Sequence, residues 1–86
     1  MNSLEPEMNP KTLSRYLLDL GRLLRDQALD AKQEAKVVSD PDKEFQRGRL
    51  FAYHEVVSLM QQQATAFQLP LKAIGLEGID PETDLL

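Results

Sequence analysis

The sequence predicts an all-α fold: an antiparallel two-helix hairpin that dimerises into a four-helix bundle, with a short C-terminal helical turn or tail. Three observations predict it. Apolar residues recur at steps of three and four through two long stretches, which is helical rather than strand periodicity. Each stretch opens on a residue pair that starts helices, Asn9-Pro10 and Asp40-Pro41. Between Arg49 and Phe67 the only formally charged side chain is Glu55, so the second stretch needs apolar cover on more than one side.

The domain organisation follows in order. Residues 1–9 form a flexible leader. The first helix is expected over residues 10–38, with Leu13, Leu17, Leu20, Leu24, Ala28, Ala31, Ala35 and Val38 on one stripe. Asn9 can accept from the first free amides, and Pro10 lacks only an N–H that would find no partner there. Gly21 is the single weak point, at about 1 kcal/mol relative to Ala. The second helix is expected over residues 41–68, after a turn at Ser39-Asp40-Pro41 short enough to make the helices antiparallel neighbours. Pro41 disfavours helical geometry at Asp40 and forces the break.

That second helix carries two apolar stripes. One holds Phe45, Gly48, Ala52, Val56, Leu59, Gln63 and Ala66; the other holds Leu50, Tyr53, Val57, Met60, Ala64 and Phe67. Folding the chain at Asp40 sets Ala35 near Phe45, Ala31 near Gly48, Ala28 near Ala52, Leu24 near Val56 and Leu20 near Leu59. Large residues then meet small ones, and Gly48 reads as a packing glycine. This pairing assigns the first stripe to the hairpin. The second, Leu50, Tyr53, Val57, Met60, Ala64 and Phe67, is left as a dimer interface. Residues 70–86 form a C-terminal segment. Pro70 ends the helix, Gly75 stops one further turn, and Leu71, Ile74, Leu76 and Ile79 are too apolar for a free tail. The segment is expected to fold back over the bundle end.

Bulk composition narrows the function classes. The chain has 86 residues and no Cys. A core this small is marginal without a staple, and neither a disulfide nor a thiolate metal site can supply one, which leaves oligomerisation. The net charge is -4, which disfavours bulk nucleic-acid or anionic-membrane binding. Residues 1–10 lack the basic-then-apolar order of a secretory signal, and no apolar run reaches the ~20 residues of a membrane span. The expected location is the cytoplasm.

Candidate chemistry is sparse. His54 is the only histidine, flanked by Tyr53 and Glu55, but consecutive helical residues point about 100° apart and do not converge on one substrate. A di-metal bundle site needs Glu-x-x-His, and the residue three before His54 is Phe51. No nucleophile triad or phosphate-binding loop is present. No catalytic residue, metal or cofactor is therefore expected. The one charged pattern is a basic stripe on the first helix: Lys11, Arg15, Arg22, Arg25, Lys32 and Lys36. It suggests a Rop-like RNA or nucleic-acid binder as the alternative function. Interleaved Asp19, Asp26, Asp30 and Glu34 make an ordinary mixed solvated face the simpler reading. Gln63 falls within a core stripe and suggests a polar layer that fixes helix register.

The run GRLFAYHEVVSLMQQQATAFQLPL, with LLDLGRLLRDQALDAK before it and DPETDLL after it, resembles small uncharacterised helical-hairpin proteins of proteobacteria. The resemblance spans nearly the whole chain, with Gly48, Arg49, Ala52, Tyr53, Glu55 and Val56 its most family-like positions. It implies a bacterial, cytoplasmic, stand-alone protein and carries no active site with it. The sequence reading is thus a non-enzymatic dimeric interaction or adaptor module with an unknown protein partner.

Overall fold

The computed structural model describes residues 9–86; all but Asn9 of the expected leader lie outside them. The described chain is helical with short linkers and contains no strand. Helix α1 spans Pro10–Val37. The Asn9 side chain accepts from the Lys11 amide at 2.9 Å, which caps the first turn. Asp40–Asp42 forms a 3-10 turn, and helix α2 follows over Lys43–Ala66. The second helix thus starts two residues later than the proline signal suggested. Asp40 caps no helix; its carboxylate sits 3.5 Å from Lys43 on the surface.

Helix α2 ends at Ala66 in a Schellman motif. Leu69 N donates to Ala64 O at 2.7 Å and Gln68 N to Thr65 O at 3.0 Å. The residue at the left-handed position is Gln68, with φ 58°, where glycine is usual. Gln68→Gly is therefore expected to stabilise the chain by roughly 0.5–1 kcal/mol, raising Tm by a few degrees in a thermal melt. An unchanged or lowered Tm would mean that Gln68 is not strained.

The chain then doubles back. A 3-10 turn over Leu71–Ile74 packs on α1, and a single helical turn, α3, over Pro81–Asp84 packs on α2. The sequence places residues 71–86 over the bundle end, and the structure does not. They run along one groove of the hairpin, starting near Leu18 and Gly21 and reaching Lys32 and Arg47.

This placement reassigns the two stripes of α2. Leu50, Val57 and Ala64 are buried with Ala28 and Ala31 of α1 and with Ile74, Leu76, Ile79 and Leu85 of the returning segment. Tyr53 and Met60 pack against this core, and the Tyr53 hydroxyl donates to Gln27 Oε1 at 2.9 Å. The expected pairing is off by one residue on α2, a rotation of about 100°. Phe45, Gly48, Ala52, Val56, Leu59, Gln63 and Ala66 are exposed, not turned toward α1. The physical reason is the returning segment. It brings four buried leucine and isoleucine side chains, Ile74, Leu76, Ile79 and Leu85, each contributing on the order of 1.5–3 kcal/mol. Helix α2 gains most by presenting the stripe that can touch both α1 and this segment.

Candidate functional site

The segment is seated by glycine and by side chains that bond its backbone. Gly21 on α1 lies so close to the Leu71–Ile74 turn that a Cβ there would be 1.5 Å from the Ile74 carbonyl oxygen. Gly75, at φ 74°, closes the turn, and its own Cβ would meet Leu18 O at 2.6 Å. Gln61 Nε2 donates to Leu76 O at 3.2 Å and to Ile79 O at 2.8 Å. Arg25 Nη1 donates to Glu77 O at 3.4 Å, and Lys32 Nζ donates to Leu86 O. Backbone groups of an irregular segment need such partners once they leave water.

These contacts settle where the basic stripe stands. Arg25 and Lys32 are half-buried and engaged with the segment, and Arg22 lines the same cleft beside Gly75. Lys11, Arg15 and Lys36 remain exposed. The six cations are therefore not one free surface. Half of them border or hold the chain's own backbone.

His54 is drawn in from the far end of the chain. Its Nε2 lies 3.2 Å from Glu82 Oε1, and its ring stacks on Phe51 at 5.8 Å between centroids. Glu55 is exposed, while Tyr53 is engaged with Gln27 and lies under the Arg49 guanidinium at 5.5 Å. The three adjacent residues face three different environments, as helical geometry requires. His54 Nδ1 is buried without a partner, so Ser58 one turn away is not hydrogen-bonded to it. Glu82 is mostly solvated, and the imidazole has a carboxylate but no nucleophile in line. Among the described residues no group of three His, Cys, Asp or Glu side chains could hold a metal ion. Ser58, Gln61, Gln62, Thr65, Leu71, Asp80, Pro81 and Glu82 border an open trough of mixed polar and apolar character, about 500 Å³, between α2 and α3. Its Gln61 side is already committed to the segment's carbonyls. The pairing of His54 with Glu82 has no local sequence signal, because 28 residues separate them.

The expected dimer interface divides. Val57 is 0% exposed, and Leu50 and Ala64 are also buried inside the chain; they cannot meet a partner. Tyr53 and Met60 are half-buried, and only Phe67 is exposed, at 73%. Open apolar surface also remains at Leu29, Val37, Phe51, Leu69 and Leu86, and one further set of exposed side chains falls on the side of the hairpin away from the returning segment. It comprises Leu13, Tyr16 and Leu23 of α1, Val56 and Leu59 of α2, and Phe67. Phe45 extends it toward the interhelical turn, with 70% of its surface exposed.

Comparison with family models, with curated proteins and with solved structures finds no match to this chain. No helix among the described residues is long and apolar enough to cross a membrane.

Proposed function

We propose that this chain is a non-enzymatic interaction module that works as a homodimer, two hairpins closing through their open grooves into a four-helix bundle. One observation carries the reading. The groove opposite the returning segment exposes Leu13, Tyr16, Leu23, Val56, Leu59 and Phe67 together. Each of the six is 41–73% exposed, an extent of open apolar surface that a partner layer of the ~800 Å² class would cover. A helical layer with one apolar face in water needs a second layer, and a second copy supplies a face of the same size and character. The assembled bundle would serve a protein partner in a cytoplasmic setting. The nucleic-acid reading is the weaker one, because Arg25 and Lys32 already bond the segment's backbone.

Sedimentation equilibrium tests the dimer. The protein is expected at twice its chain mass of 9.8 kDa at micromolar concentration. Leu59→Asp is expected to weaken association at least about 100-fold, or ~3 kcal/mol, while leaving the far-ultraviolet helix signal intact. A folded wild-type monomer at those concentrations would refute the proposal.

A further inference from the structure

The open face of α2 has an internal order that α1 lacks. Phe45, Ala52, Leu59 and Ala66 follow one another at seven-residue steps and share one side of the helix. They alternate large and small. Gly48 and Gln63 lie within the same stripe, and a Cβ at Gly48 would have nothing within 4 Å. Helix-interior glycine costs about 1 kcal/mol relative to Ala, and nothing within the chain uses the space it leaves.

We infer that the second copy docks antiparallel, α2 on α2, about a two-fold axis that passes between Glu55 and Val56. In that register each position meets the one whose number makes a total of 111. Phe45 then lies over Ala66 of the second copy, Ala52 over its Leu59, and Gly48 over its Gln63. Along the stripe from Phe45 to Ala66 each large or long side chain then faces a small one, which is how helix layers interdigitate without voids; beside the axis Glu55 meets Val56 of the second copy. A parallel pairing sets Phe45 on Phe45, Leu59 on Leu59 and Gly48 on Gly48, with crowding and gaps alternating along the seam. Docking α2 on the second copy's α1 is disfavoured for a different reason. Beyond Leu23, α1 carries Asp26, Asp30 and Glu34 on its outward side, all exposed. Laying Phe45 and Ala52 over them would take carboxylates out of water without a partner. The open face of α2 itself carries one charge after Arg49, Glu55, which this register places beside the axis, against three carboxylates on α1. This arrangement rests on the homodimer reading above and deepens it by naming the contacting helix, its direction and its register.

The absence of native cysteine makes single-cysteine cross-linking clean. A disulfide needs Cα atoms ~4–7 Å apart. Val56→Cys sits beside the axis and is expected to form a disulfide-linked dimer on air oxidation. Phe45→Cys alone is expected to form none, because its two copies stand about 30 Å apart in the antiparallel register. An equal mixture of Phe45→Cys and Ala66→Cys proteins is expected to link to each other, and Ala52→Cys with Leu59→Cys provides a second such pair. Val56 and Phe45 are both exposed within the chain, so these variants keep the hairpin. Sedimentation of each reduced variant separates the failures. A monomer overturns the homodimer reading. A dimer in which Phe45→Cys links to itself, or in which no pair links, leaves the homodimer standing and overturns the antiparallel α2 register.

Discussion

Gly21→Ala is expected to destabilise the protein by roughly 3 kcal/mol or more and to lower Tm by at least about 10 °C. On an exposed helix the same change stabilises by about 1 kcal/mol. The sign reverses here because the added Cβ would stand 1.5 Å from the Ile74 carbonyl oxygen, 2.7 Å from the Ile74 carbonyl carbon and 3.3 Å from Gly75 Cα. All three atoms are backbone, so no rotamer change relieves the clash. The 3-10 turn must lift from α1, and Ile74, Leu76, Ile79 and Leu85 lose their cover together. Limited proteolysis after Leu69 is expected to become fast in the variant. Gly48→Ala is the control, since its Cβ meets nothing within the chain, and it should leave the intrachain fold as stable as before or more so. A Gly21→Ala protein that melts at or above the wild-type temperature would show that the turn does not dock against α1.

Val57→Asp is expected to abolish folding, not merely association. Val57 is fully buried, at 0% exposure, within the cluster of α1, α2 and the returning segment. Leu50 and Ala64 flank it on the same stripe of α2, and the polar Gln61 nearby already bonds two carbonyls. An aspartate there has no cation to pair with in the core, and burying it costs several kcal/mol against the ~5–10 kcal/mol that a chain of this size holds in total. Circular dichroism is expected to show loss of helix at every concentration. Leu59, two residues on, lies on the open face at 59% exposure, and Leu59→Asp is expected to stay helical and become monomeric. Helical spacing alone assigns them the other way round, Leu59 to the hairpin and Val57 to the dimer interface. A Val57→Asp protein that remains a folded monomer would place Val57 at a subunit interface and undo the reassignment of the stripes.

Much of the fold was legible in local sequence. Asn9-Pro10 marks the start of α1 because capping and the missing proline N–H act within one turn. Pro41 marks the interhelical break through its steric effect on the preceding residue, although Asp40 caps no helix and the chain makes a 3-10 turn there before α2 begins. Gly75 stops its turn in the left-handed conformation that glycine adopts freely. The two glycines inside helices hold the reverse of the roles that their sequence context suggests. Gly48 looked like the packing glycine and Gly21 like a simple weak point. Gly21 is the one pressed against another segment, and Gly48 is open. Periodicity cannot separate them, because both sit on an apolar stripe and the contact that distinguishes them comes from residues 74 and 75. The candidate site was less legible still. His54 meets Glu82, and Arg25 and Lys32 bond the segment's carbonyls, across 28 to 54 residues.

Local sequence is enough to specify two long helices, where they break, that they run antiparallel, and that α2 is rich in apolar residues on more than one face. Those are consequences of forces that act within a turn or along one helix face. Which stripe of α2 turns inward depends on contacts between segments far apart in the chain. Neighbouring stripes on a helix differ by about 100° and by little in apolar content, so the choice turns on a third element. Residues 71–86 bring Leu76, Ile79 and Leu85 into one groove, and that burial outweighs the pairing of α1 with Phe45, Val56 and Leu59. The surplus apolar face thus exists, as the composition of α2 required, but it lies on the side the returning segment leaves open.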